Sequence, residues 1–167
     1  MEPSQTSPDL PPVQPSVSPY LIVEDSRAAI EFYKNAFGAE ELGLLETPDG
    51  KVMHAAIKIN GTTIMMNDDF PEYNDGKSST PTALGGTPVT IHLTVPHVDD
   101  WFGRAVDAGA TVEMPLEDQF WGDRFGVIKD PFGHLWSLGQ PRQDRQPRRP
   151  QEVRGGRQRV VRRHSGF

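Results

Sequence analysis

The stretch SPYLIVEDSRAAIEFYKNAFGAE, residues 18–40, decides the fold because the chain writes it twice. An apolar run, an acidic break, a helix-period segment and a small-residue exit follow one another. The same order returns 72 residues later in TIHLTVPHVDDWFGRAVDAGATVE, residues 90–113. In the first copy Ala29, Ile30, Tyr33 and Phe37 fall on one helical face, and Asp25 or Ser26 stands where a cap belongs. In the second, Trp101, Phe102, Ala105 and Val106 make the apolar stripe. Asp99 and Asp100 hold capping positions there, and Gly109 ends the helix.

Three strand-like runs follow each helix: residues 40–46, 51–59 and 62–67, then 111–117, 124–129 and 134–138. PDG, Asn60-Gly61, FWGD and DPFG separate them, and Asn60-Gly61 is a strong two-residue hairpin signal. Asp130-Pro131-Phe132-Gly133 reads as turn chemistry alone. The pattern predicts an α+β fold of two tandem βαβββ modules, their sheets forming a curved, cupped mixed surface with the helices outside. The modules span residues 17–68 and 88–140 of one domain, with 69–87 as linker. Residues 1–16 carry five prolines and almost nothing to bury, and 141–167 is arginine-rich; both are expected to be disordered.

Alternation then assigns faces. Ile91, Leu93 and Val95 belong under the second helix, which turns Thr90, His92 and Thr94 toward the hollow. Leu21 and Val23 back the first helix, so Ser18, Tyr20 and Ile22 look inward. In the run 51–59, Met53, Ala55, Ile57 and Ile59 form the helix-facing set and His54, Ala56 and Lys58 the hollow-facing one. Trp136 points under the second helix, into the core.

Composition narrows the chemistry. With no cysteine, disulfides, thiolate metal sites and cysteine nucleophiles are excluded. No apolar run nears the ~20 residues of a membrane span and no signal pattern opens the chain, so a cytoplasmic protein without membrane contact is expected. After Gln140 nine arginines face two acids, whereas residues 1–140 hold eight lysines and arginines against twenty-one acids. A body that acidic repels phosphate backbones, and nucleic-acid binding by the folded part is not expected. Glycine loops for phosphate, dinucleotide fingerprints and nucleophile elbows are missing.

The paired halves, EDSRAAIEFYKNAFGAE and above all FWGDR…DPFGHLWSL resemble the glyoxalase/bleomycin-resistance (vicinal oxygen chelate) superfamily, most closely its PhnB-type branch. The likeness covers residues 17–139. In metal-dependent members each half supplies two ligands to the hollow. Those positions fall here on Ser18 and Met65, then Thr90 and Ser137. Neutral hydroxyls and a thioether bind such divalent ions poorly, so no cofactor is expected and a metal is disfavoured. Metal-free members sequester a drug in a dimer groove. The resemblance therefore implies a homodimer that binds a small, antibiotic-like or aromatic molecule.

Candidate ligand-binding residues are Tyr20, His54, His92, Thr94, Phe120, Trp121 and Arg124. His54 and His92 also admit a structural role, Phe120 and Trp121 a place as lid or interface plug, and Arg124 an ion pair with one of its acidic neighbours. The alternative function is a lyase or isomerase on a small oxygenated substrate, with His54 or His92 as base and Arg124 steadying the developing charge. That alternative requires all three around one cavity.

Overall fold

The computed structural model describes residues 16–142. Apart from Ser16, Pro141 and Arg142, the leader and the arginine-rich segment lie outside the described residues. The first unit comprises β1 (Tyr20–Val23), α1 (Ser26–Phe37), β2 (Glu40–Glu46), β3 (Val52–Ile59) and β4 (Thr62–Asp68). The second comprises β5 (Thr90–Thr94), α3 (Val98–Asp107), β6 (Thr111–Asp118), β7 (Asp123–Lys129) and β8 (Leu135–Pro141). Between them the linker forms a 3-10 turn at Pro71–Tyr73 and a short helix, α2 (Pro81–Leu84). Each unit builds a four-stranded mixed sheet, β1-β4-β3-β2 and β5-β8-β7-β6, whose first and last strands run parallel. β8 continues to Pro141, and the amide of Arg142 donates to Gly122 O at 3.3 Å, so order extends slightly past the boundary expected at 140.

Local chemistry sets most boundaries. Asp25 caps α1 by accepting the amides of Arg27 and Ala28, and Gly38 closes it at φ 64°. Asn60 (φ 48°) and Gly61 (φ 83°) both take the left-handed conformation that a two-residue hairpin demands. The expectation for α3 fails in detail. Its N-cap is His97, at φ 51° and without a side-chain cap bond, while Asp99 turns away to meet Arg124. Val98, Phe102 and Ala105 form the buried stripe, Trp101 is half-buried, and Val106 is 37% exposed because it lies beyond the face that meets the sheet.

The repeat survives at the level of single hydrogen bonds. Ser26 N donates to Asp68 Oδ1 (2.8 Å), and 72 residues later Val98 N donates to Gln140 Oε1 (3.1 Å). Ile22 O accepts from His134 Nε2 at 2.9 Å, and its repeat-mate Thr94 O accepts from Asn60 Nδ2 at 3.0 Å. Each bond joins the last hairpin of one unit to the first strand of the other, and together they clamp the two units.

The buried side chains of both halves form one core. Tyr33 and Phe37 of α1 lie 5.3 and 5.0 Å, ring centre to ring centre, from Trp136 of β8, and Phe37 stacks on Trp101 of α3 at 6.4 Å. α1 therefore packs beneath both sheets, beside α3. On β7 only glycine fits at 126, where a Cβ would come 2.7 Å from the Phe102 ring. With both helices on one side, the other faces of the two sheets open the same way, as the cupped α+β arrangement requires. Among the described residues no helix is long and apolar enough to cross a membrane.

Asp130 does more than close a turn. It is 3% exposed and has four partners. Its Oδ2 accepts from the Tyr33 hydroxyl (2.6 Å) and from Trp136 Nε1 (2.9 Å); Oδ1 accepts from the amides of Phe132 and His134, both at 2.9 Å. One carboxylate thus ties α1 of the first unit to the β7–β8 hairpin of the second. Burial, with the Asp130 charge beside it, holds the Tyr33 hydroxyl well above the usual phenol range. Ser26 is the opposite case: fully buried, its Oγ has no partner, whereas its repeat-mate Val98 fills the same place with carbon.

Asp130→Asn replaces an acceptor with a donor facing two donors, and should lower unfolding free energy by about 2–4 kcal/mol in urea melts. Unchanged stability would contradict the staple. Ser26→Val, by removing an unmet hydroxyl, should raise stability by about 1 kcal/mol, and a loss on the same melts would show that the hydroxyl is satisfied.

Candidate functional site

The open face of the first sheet is set by strand register. Tyr20 pairs with Met65, Met65 with Ala56, and Leu45 with His54, so these side chains share one side. The Tyr20 hydroxyl lies 3.1 Å from His54 Nδ1 in a hydrogen bond, and the rings tilt together at 5.8 Å. The apolar set on β3 needs one correction. A register shift between the pairs Leu45–His54 and Glu46–Val52 places Val52 under α1 and leaves Met53 48% exposed. His54 stays on the open side.

On the second sheet the repeat-mate of Tyr20 is His92, and that of Met65 is Ser137. His92 Nδ1 and Ser137 Oγ are hydrogen-bonded at 2.8 Å. The His92 ring lies over Gly139, where a Cβ would meet it at 3.0 Å. Phe125 pairs with Gly139 and lies 20° from parallel to His92, at 6.0 Å between ring centres. Trp121 stands at 69° to Phe125 (5.8 Å), and Phe120 stands at 88° to Trp121 (5.0 Å). Asp123 holds the indole by accepting Trp121 Nε1 at 3.1 Å. A continuous row of rings therefore runs from the FWGD turn to His92. Thr94, in register with Gly139, borders it. Sequence reasoning missed Phe125, although alternation along β7 against Gly126 and Ile128 contained the signal.

Arg124 belongs elsewhere. Its Nε and Nη2 donate to both oxygens of Asp99 at 2.8 and 2.6 Å, and Nη1 approaches Asp118 at 3.5 Å. This pair lies at the start of α3, on the helix side of the second sheet. The forked hydrogen bonds from Arg124 hold the Asp99 carboxyl below its ordinary range. So the structure brings Tyr20 together with His54, and His92 with Trp121 and Phe120, but it separates Arg124 from both histidines.

The positions to which the resemblance assigns the superfamily's divalent ion carry side chains that fit one poorly. Ser18, Met65 and Thr90 offer hydroxyls and a thioether, and the Ser137 hydroxyl is engaged with His92. Among the described residues no group of three or more His, Cys, Asp and Glu is placed to hold a metal.

Comparison with known proteins agrees with this architecture. The chain is 64% identical over 129 residues to the uncharacterized protein Rv0887c of Mycobacterium tuberculosis, a match covering 77% of this chain and 76% of that one. Its fold is similar to that of the PhnB protein of Bacillus cereus, with a TM-score of 0.60 at 22% identity over 75% of this chain and 99% of that one. It is similar also to FosX, a fosfomycin resistance protein of Listeria monocytogenes solved with Mn(II) and sulfate. There the TM-score is 0.56 at 19% identity, over 78% of this chain and 95% of that one. At such identities the two structures speak to fold alone. Residues 14–138 match the family model itself, and the chain belongs to the Glyoxalase/Bleomycin resistance protein/Dioxygenase superfamily.

Proposed function

We propose that this protein binds a small aromatic, antibiotic-like molecule on the open face of its sheets without the superfamily's metal, and acts by sequestering it. The row of rings from Phe120 to His92 carries this reading, because it sits beside neutral donors where a metal-dependent relative needs imidazole or carboxylate. Sequestration asks only for shape, apolar area and a few hydrogen bonds. It needs no charge-stabilising arginine, which suits an Arg124 committed to Asp99. The lyase or isomerase alternative would need that arginine beside the histidines, so no observation favours it.

A second copy belongs to the same proposal. Tyr20, Leu45, Met53, Val112 and Met114 are each at least 40% exposed, and Phe120 is 95% exposed. That much apolar surface on one chain suits a groove closed by another subunit.

Calorimetry of the full chain against a panel of aromatic antibiotics, bleomycin included, should find at least one ligand near micromolar affinity. Trp121→Ala should weaken it about tenfold or more, as expected for losing an aromatic anchor, while Tyr73→Ala leaves it unchanged. Silence across the panel, with no change in the antibiotic sensitivity of expressing cells, would contradict the proposal.

A further inference from the structure

We infer that the molecule held on the second sheet is a planar aromatic cation; this assignment of ligand class rests on the small-molecule reading above. Shape comes first. His92 and Phe125 are stacked, 20° from parallel with centres 6.0 Å apart, and the half-exposed Trp121 meets Phe125 edge-on at 69°. A fused ring system can stack on the exposed Trp121 and Phe120 rings that continue this row, whereas a flexible chain would leave them wet.

Charge comes second. Glu117 pairs with Phe125 across β6 and β7, which puts its carboxylate on the same side as the rings. It is exposed and has no cationic partner among the described residues. Among the described residues the nearby cations are committed elsewhere: Arg124 to Asp99 and Asp118, Arg142 to Asp118, and Lys129 to Glu113. Asp123 adds a second carboxylate at the indole edge, with one oxygen on Trp121 Nε1. Rings whose faces attract cations thus stand beside two carboxylates, with the nearby arginines turned to the opposite face of the sheet. A cation gains from the Glu117 charge, a neutral ligand gains nothing from it, and an anion is repelled by it.

Three acridines of one shape test this on the full-length wild-type chain by equilibrium dialysis at mildly alkaline pH: N-methylacridinium, neutral acridine and acridine carboxylate. The cation should bind about tenfold tighter than acridine, the anion more weakly than either, and the cation's advantage should shrink as salt is raised. Glu117→Gln should bring the cation to within about threefold of acridine without altering acridine itself, as the loss of one partly screened charge pair would do. Equal affinities, a preference for the anion, or a cation advantage that survives Glu117→Gln would overturn the inference and leave the small-molecule reading standing. If no acridine binds while a panel antibiotic does, the cation assignment alone falls; if neither set binds, both readings fall.

Discussion

The buried Asp130 carboxylate is the constraint on which the rest of the architecture depends. A βαβββ unit has one helix for a four-stranded sheet, and nothing in its own sequence says how it should meet its twin. Asp130 answers that by accepting two amides of its own turn together with Tyr33 from the other unit and Trp136 from the neighbouring strand. A carboxylate without those donors could not stay at 3% exposure, so helix α1 must lie beneath the second sheet. The aromatic packing of Tyr33, Phe37 and Trp136 then forms around a fixed point rather than by general collapse.

Fixing both helices on one side leaves both sheets bare on the other, and function follows from what stands there. The repeat puts matched positions on the two open faces, yet the residues have diverged. The first sheet presents Tyr20 bonded to His54 next to a thioether; the second presents His92 bonded to Ser137 next to a row of rings. A fold shared with FosX, which was solved with Mn(II), here presents rings and neutral hydroxyls on that face. Two polar groups are engaged in structure: Arg124 with Asp99, and Ser137 with His92.

Much of this was legible in the residues. The 72-residue repeat, the alternation on β1 and β5 and the Asn60-Gly61 turn each follow from local chemistry, and the structure agrees with all three. What escaped reading was set by contacts between distant segments. Asp130 reads as a turn residue because its two amide bonds are local, while the bond that matters joins it to Tyr33, 97 residues away. Asp99 reads as a cap, but the forked guanidinium of Arg124 is the stronger partner. The shift that exchanges Met53 for Val52 is invisible to a rule of strict alternation. At the site, His54 and His92 could be placed on the open face from parity, but the ring row could not, since it needs Phe125 and the FWGD turn to fold back together.

The central claim is that the open face holds its ligand without a cation seated among Ser18, Met65, Thr90 and Ser137. Titration of the isotope-labelled full chain with Mn(II), followed by NMR line broadening, tests it at those residues directly. The account predicts no selective broadening there at stoichiometric metal. Saturable broadening centred on those four positions would contradict it, and would recast the ring row as part of a metal-assisted reaction centre.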